Sequence, residues 1–281
     1  MNKRILNFAL LITITAGCTQ RIEVKLDTTY TRLVVDGHIA NENGPYKIIL
    51  TKSTDYFYNA PAPRVTGASI ELTDGTATYP VTETIPGQSG IYATDSTFQG
   101  QINKTYTLHM ELAQPISQHS SFEATCTLNP VTHVDSVTTE FHPEYGKEGA
   151  WLVNLWAQDP GNQVNYYMFN LYKNGKLLTD SIQKVRVSND QLINGKYMTG
   201  IPIFRLNNAN KWESIAVGDT IILQMSGISK EYYNFVNQVK QAGFNLPFFS
   251  GPPANVQGNI NNGGIGFFSA YSNSYASRVV N

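Results

Sequence analysis

A chain of 281 residues has room for one large β domain or for two domains of ordinary size. Its hydrophobic fraction of 41% is enough for a folded core and excludes a disordered chain, although only 15% of its residues are charged. A net charge of -1 argues against binding driven by the phosphate charges of a nucleic acid, so we expect no such partner.

The first residues have the pattern of an export signal. Lys3 and Arg4 precede an apolar stretch over 5–14, which is shorter than the roughly 20 residues that a membrane-spanning helix needs. A short apolar stretch after basic residues is typical of a cleaved signal peptide. We therefore expect a signal peptide over 1–17.

A cysteine follows this signal directly. The residues before Cys18 read Thr-Ala-Gly, and small residues before a cysteine resemble the lipobox of bacterial lipoproteins. That resemblance implies cleavage before Cys18 and its modification with acyl chains such as palmitate. The alternative is a plain signal peptide followed by an unmodified cysteine. We expect Cys18 to be the lipidation site and 18–30 to be the anchor and linker. The protein would then be lipid-anchored in the outer membrane of the cell envelope, on a face that the sequence leaves open.

Period-two alternation of apolar and polar residues follows the linker and predicts strands. Asp74-Gly75 lies between two of these strands, which indicates a tight hairpin. Regular strands punctuated by Gly and Pro predict an immunoglobulin-like β-sandwich over 31–129. The residues of the rows expected to face its core are Leu33, Val35, Gly37, Ile39, Tyr46, Ile48, Leu50, Ala68, Ile70, Leu72, Tyr106, Leu108, Met110, Leu112, Phe122, Ala124, Cys126 and Leu128.

A second β unit is predicted over 130–281, after a boundary at Asn129-Pro130. Its expected strands lie at 151–157, 166–173, 220–226 and 265–271. One helix is predicted over 230–242, because Ser229 can cap it and apolar residues then recur at helical spacing. The predicted fold class is therefore mainly β, with two β-sandwich-like units and one helix in the C-terminal half.

The order of several short motifs resembles a known family. They are Leu33-Val34-Val35-Asp36-Gly37-His38-Ile39, Gly67-Ala68-Ser69-Ile70-Glu71-Leu72-Thr73-Asp74-Gly75, Gly90-Ile91-Tyr92, Lys104-Thr105-Tyr106-Thr107-Leu108, Val217-Gly218-Asp219-Thr220-Ile221, Ser229-Lys230-Glu231-Tyr232-Tyr233 and Gly264-Ile265-Gly266-Phe267-Phe268. With the lipobox, this order is similar to domain of unknown function 4249, a lipoprotein family of Bacteroidota. The family has no assigned activity. Its members resemble accessory lipoproteins of TonB-dependent outer-membrane receptors, which implies such a receptor as the partner.

Motifs for catalysis, cofactors and metals are missing from the sequence. It contains no Gly-x-Ser-x-Gly, no P-loop, no His-Glu-x-x-His and no calcium loop of the Asp-x-Asp-x-Asp type. The Gly-Gly-Ile-Gly segment at 263–266 lacks the dinucleotide spacing, so we interpret it as a turn with close packing. Cys126 is expected to be a buried, inert thiol, since no base lies beside it. We expect no enzyme, no cofactor and no metal ion.

Two aromatic segments remain as candidate binding residues. Tyr56, Phe57 and Tyr58 precede a proline-rich exit, and three consecutive aromatic side chains cannot all face one core from a strand. Phe248 and Phe249 lie in a second proline-rich segment. Aromatic faces suit sugar rings or a protein partner. The alternative is that they cover a domain interface or the edge of the sandwich.

These patterns favour a non-catalytic binding or accessory lipoprotein of an outer-membrane uptake system. Two alternatives stay open at this point. One is a stand-alone module that binds a glycan or a peptide, and the other is a hydrolase with paired carboxylates in a cleft.

Overall fold

The computed structural model describes residues 31–54, 60–161, 163–243 and 256–281. Strands make up most of these residues. The first seven are β1 (Leu33–Ala40), β2 (Lys47–Lys52), β3 (Ser69–Thr73), β4 (Thr78–Glu83), β5 (Ile91–Ala93), β6 (Thr105–Ile116) and β7 (His119–Thr127). Then come β8 (Val134–His142), β9 (Ala150–Gln158), β10 (Tyr166–Lys173), β11 (Lys176–Leu177), β12 (Arg186–Asn189), β13 (Tyr197–Asn207) and β14 (Thr220–Ile228). Helix α1 (Lys230–Gly243) and β15 (Ile265–Val279) end the chain.

Two sheets are formed by the strands of the described residues. The larger has twelve strands in the order β11-β10-β14-β15-β1-β2-β5-β4-β3-β6-β7, with β12 paired to β10. The smaller has the order β13-β9-β8. Strands β1 and β15 run parallel and join the two halves of the large sheet, while the other pairs are antiparallel. The sheet curves so far that Asn129, beyond β7, bridges Tyr271 of β15.

Two hydrophobic cores correspond to two sandwich-like units, so the predicted mainly β fold class is confirmed. The first core is built mostly from β1 to β7 and includes Tyr92, Tyr106 and Phe122, each at most 2% exposed. The second lies between the small sheet and strands β10 and β14. Strand β15 contributes to both, because Phe268 lies in the first core and Ala276 packs against the second. Residues 31–281 form one compact unit.

Helix α1 follows the predicted pattern closely, with bounds one residue longer than the predicted 230–242. The Ser229 hydroxyl accepts a hydrogen bond from the Tyr232 backbone N–H at 3.1 Å, which caps the first turn. Glu231 lies in that turn, where its charge suits the helix dipole. Among the described residues, no helix has the length and apolarity that crossing a membrane requires.

The Cys126 thiol should react only after unfolding. Cys126 is 8% exposed and packs in the first core, and burial raises the pKa of its thiol well above the ordinary value. Because the thiolate is the reactive form, we expect native protein to resist a thiol reagent that labels it rapidly in denaturant. Mass spectrometry of labelled native and denatured protein measures this, and fast native labelling would contradict the position of Cys126 in the core.

Candidate functional site

A groove of about 530 Å³ separates helix α1 from one face of the large sheet, and we call it the α1 groove. Strands β1, β15 and β10 form its floor, α1 forms one wall and the segment over 177–185 forms the other. The floor presents Asp36, His38, Met168, Asn170, Ser269 and Tyr271, and the helix wall presents Tyr232, Phe235, Val236 and Val239.

Strand alternation decides which side chains reach this floor. On β1, Val35 and Ile39 point into the first core, so Asp36 and His38 must point to the opposite face. The same alternation on β15 places Phe268 in the core. The parallel register then sets Asp36 beside Phe267 and His38 beside Ser269. The groove therefore joins residues that lie more than two hundred positions apart in the sequence.

Aromatic contacts hold α1 against the floor. The ring of Phe267 lies 5.0 Å from Tyr232 and 5.1 Å from Phe235, measured between centroids. Such tilted aromatic pairs contribute about 0.5–1.5 kcal/mol beyond the area that they bury. Burial and the nearby Asp36 carboxylate raise the pKa of Tyr232 to about 12. Tyr232 therefore stays neutral at physiological pH.

His38 and Asp36 are the ionisable groups of the groove floor. The imidazole of His38 stacks on Tyr271 with centroids 5.3 Å apart and an angle of 15°. Partial burial lowers the pKa of His38, and Asp36 opposes this shift only in part. Neither residue forms an ion pair with another described residue. Both are thus available to a bound molecule.

Ser269, His38 and Asp36 are the residue types of a hydrolase triad, but their contacts differ from one. A triad needs the histidine to bond both the nucleophile and the carboxylate. Here the His38 ring lies flat against Tyr271, with the ring centroids 5.3 Å apart and an angle of 15° between the rings. Among the described ion pairs there is none between Asp36 and His38. In the described structure these three residues therefore do not form a catalytic triad.

A polar cluster continues the groove face along β15. The Glu42 carboxylate accepts hydrogen bonds from the Tyr275 hydroxyl and from the Asn273 side-chain amide, each at 3.1 Å. Asn273 in turn accepts from Ser226 at 2.7 Å and from Gln224 at 2.9 Å. Amide and hydroxyl groups that are buried on a sheet face are unusual unless they form hydrogen bonds, and the groups of this cluster form hydrogen bonds with one another. The cluster fixes the orientation of the tyrosines beside the groove.

The residues predicted as binding sites from sequence lie outside the described residues. This applies to Tyr56, Phe57 and Tyr58, to Phe248 and Phe249, and to the predicted lipidation site Cys18. The predicted helix includes the four apolar groove residues of α1, but the sequence pattern did not identify Asp36 and His38 as site residues. Their position on an outward strand face is typical of a solvated surface, and only the long-range β1–β15 pairing reveals the groove.

His38 should titrate below the ordinary histidine value of about 6.5. The pKa of His38 is lower in the folded chain than in the unfolded chain. Below about pH 6.5 the unfolded chain therefore binds more protons at this residue than the folded chain does. The contribution of neutral His38 to stability is therefore complete above pH 6.5 and is lost as pH falls through the folded pKa. The groups that face it are Asp36, Tyr46 and Tyr271. A proton NMR titration measures this, with His38→Gln assigning the signal, and a midpoint at or above 6.5 would contradict it.

One comparison with known families finds a match. The family model described as Domain of unknown function (DUF4249) matches residues 19–276, which is nearly the whole chain. No curated protein matches the chain.

Proposed function

This chain belongs to the DUF4249 family of proteins of unknown function, and from that premise we propose that it is a non-catalytic binding lipoprotein of the outer membrane. It acts as an accessory subunit of a TonB-dependent uptake receptor. Cys18 carries the lipid anchor, and the α1 groove holds a segment of the receptor.

The groove is the observation that carries this proposal. Its volume of about 530 Å³ lies within the range of about 300–1,000 Å³ that is usual for binding pockets. An apolar helix wall faces a floor with one carboxylate and one neutral imidazole, and neither is paired within the described chain. Aromatic residues around a few polar groups are typical of the centre of a protein interface.

The proposed location rests on the sequence. Small residues before Cys18 resemble the lipobox, and several acyl chains at about 0.8 kcal/mol per buried CH₂ give stable anchoring where a single chain is marginal. An anchored protein stays close to a membrane receptor, which raises its effective concentration at the receptor surface.

Co-purification from membranes in a mild detergent tests the proposal. We expect the wild-type protein to recover a TonB-dependent receptor, identified by mass spectrometry. The double variant Asp36→Ala, His38→Ala should lower that recovery at least about tenfold, because a hot-spot truncation costs about 2 kcal/mol or more. The matched control is His109→Ala, Glu111→Ala, which removes the same types of side chain at the same spacing from the exposed face of β6.

Equal recovery with both double variants would remove the groove from the proposal. If no receptor is recovered, a thermal-shift screen with oligosaccharides and short peptides distinguishes the stand-alone binding module. Turnover of an ester or glycoside substrate that is lost in His38→Ala would contradict the non-catalytic assignment.

A further inference from the structure

Trp212 is an exposed tryptophan on the surface of the second unit. It is 67% exposed, whereas Trp151 is 8% exposed in the second core. It lies in the loop over 208–219, which connects β13 to β14. A single exposed apolar side chain needs no explanation by itself. The surroundings of this indole therefore decide whether it has a role.

Hydrogen bonds fix the loop that carries this indole. The backbone carbonyl of Asn210 accepts from the N–H of Glu213 at 2.9 Å. The Glu213 carboxylate in turn accepts from the Asn207 N–H and from the Asn210 side-chain amide, each at 3.0 Å. Ile215 is 2% exposed and anchors the loop in the second core. The indole is thus held in place before a ligand arrives, which lowers the entropic cost of binding.

Two lysine ammonium groups lie over the indole. The Nζ atom of Lys176 lies 5.4 Å from the ring centroid of Trp212, and the Nζ atom of Lys184 lies 6.0 Å from it. Lys184 also pairs with Asp180 at 2.7 Å, but Lys176 forms no ion pair in the described parts of the chain. Each ammonium group is attracted by the negative face of the ring. The indole therefore brings together two positive charges, of which one is unpaired.

Two cavities border the indole. The larger has a volume of about 370 Å³, within the range of about 300–1,000 Å³ that is usual for ligand pockets. The smaller, of about 230 Å³, shares Trp212, Lys184 and Leu178 with it. Side chains of the second core, including Leu171 and Phe204, line part of the smaller cavity. The surface beside the indole is therefore concave and partly apolar.

Positive charge dominates the lining of these two cavities. The lining contains two carboxylates, Asp180 and Glu213, and six basic side chains, which are Lys173, Lys176, Lys184, Lys211, Arg186 and Arg205. Lys173 is paired with Asp219 at 3.2 Å, while Lys211, like Lys176, has no ion pair within the residues that the structure describes. The whole chain has a net charge of -1, so this excess is local. Such a concave surface attracts anions.

We propose that Trp212, Lys176, Lys184 and Lys211 form a binding site for an acidic saccharide, which we call the Trp212 site. Lysine ammonium groups form charge-assisted hydrogen bonds with carboxylate or sulfate groups, and these bonds are roughly twice as strong as neutral ones. The apolar face of a sugar ring packs on an aromatic face such as the indole. The proposal does not depend on the α1 groove, although the segment over 177–185 borders both sites.

An anionic membrane surface is the competing partner for the same residues. Tryptophan and lysine are also typical of protein surfaces that contact the headgroups of anionic lipids. A bilayer surface is flat, however, and does not reach into cavities lined by side chains of the second core. The geometry therefore favours a ligand that is small enough to enter beside the indole.

Binding is tested with the purified protein and defined tetrasaccharides. The probes are a tetrasaccharide of galacturonic acid, its uncharged methyl ester and a sulfated tetrasaccharide from heparin. We expect calorimetry to give a Kd below about 1 mM for at least one acidic probe, and the methyl ester to bind at least about tenfold more weakly than the acid. Binding should also protect the exposed indole from quenching by acrylamide, and Trp212→Phe should lose this protection.

Two changes in the site should weaken the binding of the acidic probe. The double variant Lys176→Gln, Lys184→Gln should raise its Kd at least about tenfold, because it removes two charge-assisted hydrogen bonds. Its matched control is Lys47→Gln, Lys230→Gln, which removes two exposed lysines that line neither cavity and should keep the wild-type Kd. Trp212→Ala should also raise the Kd at least about tenfold.

A second control separates binding from damage to the loop. Val217 is 72% exposed in the same loop and lines neither cavity, so Val217→Ala should keep the wild-type Kd. Because Trp212 is exposed, Trp212→Ala should lower Tm by at most about 2 °C. The same variant should leave the recovery of a receptor unchanged, so the Trp212 site and the α1 groove are tested separately.

Three results would overturn the proposal. The first is that neither acidic probe binds at concentrations up to about 1 mM. The second is an equal loss of affinity in the two double lysine variants, which would attribute binding to charge spread over the whole surface. The third is binding to vesicles that contain phosphatidylglycerol but to neither saccharide, with loss of vesicle binding in Trp212→Ala. That result would assign the Trp212 site to the membrane surface.

Discussion

Replacing Gly266 with alanine is expected to lower Tm by about 4–20 °C. Gly266 has a φ of 94°, and a Cβ atom there would lie 2.0 Å from the carbonyl oxygen of Val35. The left-handed conformation costs alanine about 1–2 kcal/mol, and forcing an atom into a packed site costs about 1–3 kcal/mol more. A domain of this size loses about 2–4 °C of Tm per kcal/mol. The clashing atom is backbone in the parallel partner strand, so it cannot turn away as a side chain could.

Gly263→Ala is the matched control for this prediction. Gly263 also has a positive φ, at 77°, but a Cβ atom added there would have no neighbour within 4 Å. Gly263→Ala therefore has the free-energy cost of the left-handed conformation but no steric clash. The difference in Tm between the two variants measures the cost of the clash between β15 and β1 at Gly266. Equal Tm losses in the two variants would show that Val35 does not restrict this position.

A side chain at position 266 should also change the structure of the α1 groove. The residue pairs with Val35, and the next positions in register bring Asp36 beside Phe267 and His38 beside Ser269. Since Phe267 packs on the helix through Tyr232 and Phe235, a shift of β15 would move one wall and the floor together. The strand pair is thus both a joint between the two halves of the sheet and the base of the candidate site.

Local patterns predict the elements well, because their causes are local. The alternation in β1 places Val35 and Ile39 in the core, and Ser229 caps α1 as expected. The Asp74-Gly75 turn connects β3 to β4, whose antiparallel pairing is confirmed. The close packing expected of the Gly-rich segment at 263–266 is confirmed by the approach of Gly266 to Val35.

Long-range pairing cannot be predicted in the same way. Nothing in the alternation of β1 indicates that its partner is β15, at the other end of the chain, or that the pair is parallel. For that reason Asp36 and His38 resemble residues of a solvated surface when only the sequence is considered. The α1 groove therefore depends on a long-range strand pairing that periodicity does not encode.

Replacing Cys18 with alanine is expected to abolish acylation and release the protein from the outer-membrane fraction. The lipobox resemblance predicts that the Cys18 thiol is the attachment point, and alanine has no thiol to modify. Each acyl chain contributes about 0.8 kcal/mol per buried CH₂, and loss of all chains removes the anchoring free energy completely. Incorporation of a labelled fatty acid should fall to background, and the variant should appear as an uncleaved precursor or as a soluble species.

Cys126→Ala is the matched control, because Cys126 is the other of the chain's two cysteines and is buried in the first core. It should keep full fatty-acid labelling and full membrane retention, with at most a modest loss of stability from the small cavity. Retention is measured after a wash at high salt and high pH, which removes proteins held by charge but not those held by acyl chains. If Cys18→Ala stays with the outer membrane as firmly as Cys126→Ala does, the protein is held there by a contact other than a lipid. The receptor would then be the first candidate for that contact, and Asp36→Ala, His38→Ala in the Cys18→Ala background should release it.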